Sequence, residues 1–134
     1  MPLVDIVHPS GSVTEEQQER ISERITAAAI AAEGLPDNAR SRGIAVIAWH
    51  AADRVFVGGK PSDHPRFDVQ VRAFAEALTH QRRVELVDQI TEAFRAEGSD
   101  GRTVWCTFHP LQRGSFGAGG SLVSYDQVQA MTHD

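Results

Sequence analysis

The feature that most constrains the fold of this chain is an internal repeat. Shifting the sequence by 65 residues aligns Pro2 with Phe67 and Thr14 with Thr79. At this offset each half predicts a strand, a helix and a second strand, and the offset falls to about 60 farther on because the loops differ in length. Each half then closes on an aromatic residue followed by paired glycines, at residues 56–59 and 116–120. We therefore interpret the chain as a tandem duplication of a β-α-β unit.

The helix of each half has clear start and stop signals. Thr14 and Gln17 form a capping box, and Gly34 ends the first helix. Apolar residues recur between them at spacings of three and four: Ile21, Ile25, Ala28, Ala29 and Ala32. The second helix is predicted from Thr79 to Gly98, with a buried face made of Leu86, Ile90, Ala93 and Phe94.

Strands are predicted at residues 1–7, 44–49, 67–71 and 104–109. Parallel strands need a right-handed crossover, so the two units can pair into one four-stranded mixed sheet with two helices on one face and short hairpin strands at the glycine pairs. The fold class is α+β, in a single domain of two repeats, 1–60 and 67–122, with a short carboxy-terminal tail. Residues 44–49 are apolar throughout, which predicts cover on both sheet faces and hence a closed homo-oligomer. The tail, residues 123–134, is expected to cross to a neighbour.

Composition excludes several classes of function. The net charge is −5, with 13 Lys and Arg against 18 Asp and Glu, so no basic surface for nucleic acid is expected. Cys106 is the only cysteine, which excludes an internal disulfide and suits a reducing compartment. The sequence shows no signal peptide and no apolar run near the ~18 residues of a membrane span. A cytoplasmic protein without membrane contact is the expectation.

Pro2 directly follows the initiator methionine and opens the first strand. If Met1 is removed, the ring nitrogen becomes a free secondary amine that can take or give a proton. An apolar pocket or nearby arginines would lower the pKa of this amine toward neutrality. The alternative is that proline is merely a common residue at the second position.

Several segments, taken in this order, resemble the tautomerase superfamily, and the match covers nearly the whole chain. They are Pro2 opening a strand, Thr14-Glu15-Glu16-Gln17-Gln18, Ile90-Thr91-Glu92-Ala93, and Phe116-Gly117-Ala118-Gly119-Gly120-Ser121-Leu122. The last is similar to the carboxy-terminal signature of 4-oxalocrotonate tautomerase. Residues 54–59 resemble the middle of the cis-3-chloroacrylic acid dehalogenases. Length and fused architecture are similar to that group and to the malonate semialdehyde decarboxylases.

The resemblance implies an enzyme without cofactor, with Pro2 as the catalytic amine, an arginine that holds a small carboxylate substrate, and a homotrimer. It also implies that Phe116 forms an aromatic wall and that Trp105 lies near the pocket. The arginine pair of the fused relatives aligns near Ala75, Glu76 and Leu78, so this chain lacks it. The water-activating residues of the dehalogenase align near Thr107 and Ser115, so hydrolytic dehalogenation is not expected.

Which arginine replaces the missing pair stays open at this stage. Arg72 is the first candidate, because a charge at the end of an apolar strand needs a partner and a guanidinium binds a carboxylate in bidentate fashion. Arg40, in the loop before the second strand, comes next, and surface charge is the alternative for it. Arg82 is expected on a solvated helix face. His109 could be a second proton carrier if it faces the pocket.

No metal site is predicted. The histidines show no ligand spacing such as H-x-H or H-x-x-x-H, and the single cysteine adds little. The six are His8, His50, His64, His80, His109 and His133. Cys106 lies in a predicted buried strand and is interpreted as a core residue.

These observations predict a tautomerase-like enzyme that uses Pro2 as general base and acid on a small enol or 2-oxo carboxylate. One alternative is decarboxylation or hydration of a three-carbon 3-oxo or unsaturated acid, with protonated Pro2 as general acid. Another is a non-catalytic oligomeric module of the same fold. The enzyme and the non-catalytic module differ in whether Pro2 has a free amine that activity requires.

Overall fold

The computed structural model describes residues 2–62 and 66–133. Met1 and His64 lie outside the described residues, as does part of the linker expected after the first repeat. The strands are β1 (Leu3–Pro9), β2 (Val46–Ala52), β3 (Phe56–Val57), β4 (Lys60–Pro61), β5 (Phe67–Phe74), β6 (Val104–Leu111), β7 (Gly117–Ala118) and β8 (Ser121–Leu122). The helices are α1 (Glu15–Ala32), α2 (Ala39–Arg42), α3 (His80–Arg95) and α4 (Tyr125–His133), with a 3-10 turn at Gly101–Thr103.

The main sheet has four strands in the order β2-β1-β5-β6. β1 is parallel to β2, and β5 is parallel to β6. The two units meet through the antiparallel pair β1–β5, in which Leu3 is opposite Arg72 and Val7 is opposite Asp68. The glycine pairs close two small hairpins, β3–β4 and β7–β8. The predicted α+β fold with a mixed sheet is confirmed.

The core lies between one sheet face and the helices α1 and α3. Its centre is the set of completely buried residues Ile6, Val69, Ile21, Ile25, Ile90 and Phe94. Burying each of these side chains contributes about 1.5–3 kcal/mol, which fixes the helices on this face. The predicted capping box is present: Gln17 N–H donates to Thr14 Oγ1 over 3.1 Å, and Thr14 N–H donates to Gln17 Oε1 over 2.9 Å.

The sheet face without helices is more polar than the sequence predicted. β2 begins at Val46 rather than residue 44, and Trp49 turns toward α1, where its Nε1–H donates to Ser22 Oγ over 2.8 Å. On the other face Val46 is 51% exposed. There Asp5 contacts His50 Nε2 and Arg72 Nη2, each over 2.8 Å. The sequence predicted cover for this face from the apolar run at residues 44–49, and the structure adds that alternate residues of β1, β2 and β5 place charged groups on it.

The carboxy-terminal tail differs from its prediction as a crossing segment. It forms α4 and packs on its own chain, with Val128 and Thr132 buried. Two polar side chains hold its last turn, since Asn38 Nδ2 donates to Thr132 O over 2.8 Å and Arg40 Nη1 donates to Met131 O over 3.1 Å. Among the residues described, no helix is long and apolar enough to cross a membrane.

Candidate active site at the amino-terminal strand

Pro2 lies just before β1 and is buried. Its carbonyl accepts a hydrogen bond from Val46 N over 3.0 Å, which ties the start of the chain to the start of β2. On its other side, the antiparallel register pairs Leu3 with Arg72. Ala73 and Phe74 follow Arg72 and form the end of β5 that lies toward the start of β1. Pro2 therefore lies at the head of β1, between the strands β2 and β5.

A second apolar cluster surrounds this end of the sheet. Its buried members are Ile30, Leu35, Phe74, Ala77 and Val128, and the residues packed against it include Leu3, Ile44, Ala45, Phe116 and Tyr125. Phe74 is the centre of an aromatic group, with ring centroids 5.9 Å from Phe116 and 5.7 Å from Tyr125. The structure thus places Phe116 beside the end of the sheet that carries Pro2. Its contact with substrate stays a prediction.

Glu33 brings a carboxyl group into the same region. It caps the carboxyl end of α1 and is only 1% exposed. Its backbone carbonyl accepts from Tyr125 Oη over 2.8 Å and from Gln129 Nε2 over 3.0 Å. Burial raises the pKa of the Glu33 carboxyl, although a hydrogen bond from the Phe74 backbone acts in the opposite direction. Glu33 was not predicted from the sequence, since one glutamate at a helix end is an ordinary surface signal.

Arg82 approaches the same helix end from α3. It is half-buried rather than fully solvated as expected, and its Nη1 donates to Ala77 O over 3.2 Å. Its guanidinium packs against Gly34, the residue after Glu33: a Cβ added to this glycine would lie only 3.1 Å from Arg82 Nη2. The repeat could have revealed this placement. Arg82 aligns with Gln17 at the offset of 65, and Gln17 Nε2 reaches Glu97 O over 3.4 Å at the other helix end.

Arg72 and His109 lie at this end of the sheet but on the face without helices. Arg72 is 47% exposed and is paired with Asp5, while His109 is its neighbour on β6 and contacts Thr107 Oγ1 through Nε2 over 3.2 Å. The hydrogen bond from His50, followed by that from Arg72, lowers the pKa of Asp5. Within one chain, the carboxylate that Arg72 binds is therefore Asp5.

The other two predicted residues are farther from Pro2. Arg40 is exposed on α2 and contacts the end of α4. Trp105 is 58% exposed at the start of β6, where the Arg66 guanidinium lies 4.6 Å from its ring centroid. Trp105 is paired with Asp68, at the opposite end of the strands from the Leu3–Arg72 pair. One chain alone does not bring Trp105 to Pro2.

Other candidate chemistry is weak elsewhere in the described chain. Residues 2–62 and 66–133 contain no group of three His, Cys, Asp or Glu side chains arranged to hold a metal ion. Burial raises the pKa of the Cys106 thiol to about 11, so it is protonated at neutral pH and is a poor nucleophile. A cavity of about 630 Å³ lies at the far end of the sheet, where Arg66, Glu97 and Arg102 line it.

Comparison with solved structures finds the same fold. Pt0534 inactivated by 2-oxo-3-pentynoate aligns with a TM-score of 0.75 at 17% identity, over 90% of this chain and 94% of that one. The asymmetric trimer of wild-type R7 fused 4-OT aligns with a TM-score of 0.73 at 18% identity, over 89% and 94%. N1, a member of the cis-3-chloroacrylic acid dehalogenase family, gives 0.71 at 16% identity, over 91% and 83%.

Comparison by sequence adds the family. No curated protein sequence matches the chain. A family model described as "Putative oxalocrotonate tautomerase enzyme" matches residues 1–95, which is more than half of the 134 residues. The resemblance to the tautomerase superfamily is thus confirmed, and the matched residues include the Pro2 strand, the capping box at Thr14 and the first glycine hairpin. The chain belongs to this oxalocrotonate tautomerase family, within the tautomerase superfamily.

Proposed function

We propose that the protein is a cofactor-independent tautomerase that uses the amine of Pro2 to move a proton between oxygen and carbon of a small enol or 2-oxo carboxylate. The observation that carries this proposal is the buried position of Pro2 at the head of β1, beside an aromatic group that includes Phe74 and Phe116. Burial disfavours the charged form of an amine and so supports a base near neutral pH.

The substrate carboxylate needs a cation, and three arginines are candidates. Arg82 is half-buried on the helix side, next to the end of α1, and joins the earlier candidates Arg72 and Arg40. Arg72 would have to exchange its contact with Asp5 for one with substrate. Phe116 would form an apolar wall, and His109 would assist only if the substrate reached the face without helices.

We propose a homotrimer, in which copies of the chain cover the sheet face without helices. The fused 4-OT structure, which has the same fold, is itself a trimer. In such an assembly Trp105, exposed at the far end of β6, could approach the site of a neighbouring copy. Light scattering tests this proposal, and a monomer at micromolar concentration would contradict it.

The test of the catalytic proposal is whether the nitrogen of Pro2 must be free. Intact-mass spectrometry should show loss of Met1, and the processed protein should ketonise phenylenolpyruvate. Pro2→Ala keeps a primary amine and should lower kcat/KM by about 10²-fold, within the range of general acid–base catalysis. An extra residue ahead of Pro2 converts the amine to an amide and should abolish turnover.

Pro61→Ala is a matched control, because Pro61 is exposed on β4. It should leave turnover unchanged. Equal activity of the blocked and processed proteins would show that the amine has no catalytic part. A processed protein that turns over no enol or 2-oxo acid would favour the binding-module alternative.

A covalent probe gives a second test of the same nitrogen. Pt0534 was inactivated by 2-oxo-3-pentynoate. Here the Pro2 amine would add to the alkyne, forming a C–N bond while the amine proton passes to the adjacent carbon, so no group leaves. The protein mass should rise by the full mass of one inactivator per chain. Labelling that persists when Pro2 is blocked would contradict the proposal.

Decarboxylation or hydration of a three-carbon acid is the second candidate function. The observation that favours it is Glu33, a buried carboxyl at the carboxyl end of α1 whose backbone carbonyl is held by Tyr125, a neighbour of Phe74. A carboxylate favours the protonated amine, which is the general acid that these reactions need. Product analysis by NMR after incubation with a 3-oxo and an acetylenic three-carbon acid distinguishes this activity from ketonisation.

A further inference from the structure

The cavity of about 630 Å³ lies at the end of the sheet where β5 and β6 begin. Its polar lining includes Ser12, Arg66, Glu97, Ser99, Asp100 and Arg102. The internal repeat relates this cavity to the start of the chain, because Phe67, the residue after Arg66, aligns with Pro2 at the offset of 65. Phe67 lies within the chain and has no free amine. This place can therefore bind a ligand but cannot repeat the proton transfer proposed for Pro2.

The two carboxylates named in this lining are already paired with arginines. Glu97 accepts from Nε and Nη2 of Arg20 over 2.9 and 2.7 Å. Asp100 accepts from Arg102 Nη2 over 2.8 Å, so the guanidinium of Arg102 is engaged as well. The cavity thus combines two compensated carboxylates with one further cation, Arg66.

Arg66 differs from these arginines in its surroundings. Within residues 2–62 and 66–133 it forms no ion pair, and its Nε is shielded from solvent without a hydrogen-bond partner. Its guanidinium carbon lies 4.6 Å from the ring centroid of Trp105, a cation–π contact that holds the group in place. A shielded donor without an acceptor is costly, because its hydrogen bonds with water are not replaced. The cavity beside Arg66 leaves room for an acceptor that the described chain does not supply.

We propose that this cavity is a second ligand site, which binds a small monocarboxylate through Arg66. A planar guanidinium donates two parallel hydrogen bonds to a carboxylate, and its stacking on Trp105 already restricts it, so less conformational entropy is lost on binding. A dianion such as phosphate is disfavoured, because the carboxylates of Glu97 and Asp100 line the same cavity and repel a second negative charge. The site is separate from the Pro2 amine and does not rest on the proposed function.

The two tryptophans of the chain allow binding at this cavity to be observed by NMR. Sodium propionate is titrated at constant ionic strength into ¹⁵N-labelled protein, and the two indole N–H signals are assigned with Trp105→Phe. The Trp105 signal should shift and saturate, because its ring is stacked on Arg66. The Trp49 signal should stay nearly constant, since its Nε1–H is bonded to Ser22 of α1. Inorganic phosphate should bind several-fold more weakly than propionate.

Substitutions of arginine test which side chain binds the carboxylate. Arg66→Gln should weaken propionate binding by roughly 10-fold or more, the usual effect of losing hydrogen bonds from a charged group. Arg54→Gln is the matched control, because Arg54 also lies over an aromatic ring, 4.9 Å from the centroid of Phe56, but is exposed. This control should bind propionate as wild type does.

Arg66→Lys keeps the charge but loses the planar pair of donors, so it should bind propionate several-fold more weakly than wild type, and it decides if Arg66→Gln fails to fold. Protein with an extra residue ahead of Pro2 should bind as the processed protein does, so this result is readable even if the tautomerase proposal fails. A Trp105 shift without saturation, wild-type affinity in either Arg66 variant, or an equal loss in Arg54→Gln overturns the proposal. Phosphate that binds as tightly as propionate overturns the choice of a monocarboxylate.

Discussion

The two repeats place a glutamate at the same point of the same local structure. Glu33 ends α1 and precedes Gly34, with φ of 70°, and Glu97 follows α3 and precedes Gly98, with φ of 93°. The closing hydrogen bonds also correspond, since Leu35 N–H donates to Ile30 O and Ser99 N–H donates to Phe94 O, each over 3.1 Å. Positive φ explains why glycine follows both glutamates.

The two carboxyls nevertheless have opposite properties. Arg20 of α1 lies 2.7 Å from Glu97, and this hydrogen bond lowers the pKa of Glu97. At Glu33 burial dominates and raises the pKa. Arg20 aligns with Glu85 at the offset of 65 and with Val84 at the offset of 64 that relates the two glutamates, so α3 supplies no arginine at the matching position. Glu97 thus forms an ion pair between the two helices in the second repeat. Glu33, in the repeat that carries Pro2, is instead removed from solvent.

The largest expected effect comes from removing α4, which covers the helix end at Glu33 and not the one at Glu97. A chain ending at Leu122 lacks α4, and with it the buried Val128, the Phe74–Tyr125 contact and two donors to Glu33. Losing this apolar burial costs about 3 kcal/mol, which lowers Tm by roughly 10 °C in a domain of this size. Thermal unfolding followed by circular dichroism measures the loss.

Hydrogen exchange shows where that loss falls. Amides at residues 30–35 should exchange faster in the shortened chain, while those at 94–99 keep their protection. Equal acceleration at both ends would mean that α4 stabilises the whole domain and does not distinguish the two repeats.

A smaller effect is expected from one hydrogen bond at the same end. Tyr125→Phe removes the hydroxyl that donates to Glu33 O but keeps the ring packed on Phe74, and Gln129 still donates to that carbonyl. The cost should be about 1 kcal/mol in the free energy of unfolding, measured in urea. Phe116→Leu, which alters the apolar contact instead, is the comparison variant. A loss well above that of Phe116→Leu would show that the hydroxyl does more than bond one carbonyl.

The fold was predictable from the sequence because periodic signals specify it. The offset of 65, the capping box at Thr14, the helix start at Thr79 and the apolar faces of both helices predicted the mixed sheet and its helix layer. Which β2 residues face outward was not predictable: Val46 is exposed, whereas Trp49 turns toward α1. A register shift of one residue reverses the facing of each side chain, and apolar runs carry no information against it.

The site was predictable only in part. Pro2 and Phe116 are marked by their places in the repeat, and both lie at one end of the sheet. Glu33 and Arg82 could not be separated from surface charges, since their burial depends on α4 and on the contact between the helices. Arg72 was chosen because a charge at the end of an apolar strand needs a partner, and within the chain that partner is Asp5 on the neighbouring strand.

The smallest expected effect is also the sharpest test of the comparison, because its sign differs between the two repeats. A carboxyl whose pKa is raised by folding contributes most to stability at pH values below its ordinary pKa of 4.5. This contribution is lost as the pH rises through the pKa of the folded state. Glu33→Gln should therefore raise Tm by a degree or two at pH 7, with no gain at pH 3. Glu97 has a lowered pKa, so its contribution is present above 4.5 and lost as pH falls.

Glu97→Gln should accordingly lower Tm at pH 7, and the difference from wild type should vanish in acid. Scanning calorimetry of wild type and both variants between pH 3 and pH 8 measures the Tm difference of each variant from wild type. The two differences should grow with pH and have opposite signs. Arg20→Gln should abolish the loss seen in Glu97→Gln but leave the gain of Glu33→Gln intact, since Arg20 contacts Glu97 alone of the two. If both glutamine variants change Tm in the same direction, the two helix ends are electrostatically alike and the distinction drawn between the repeats is wrong.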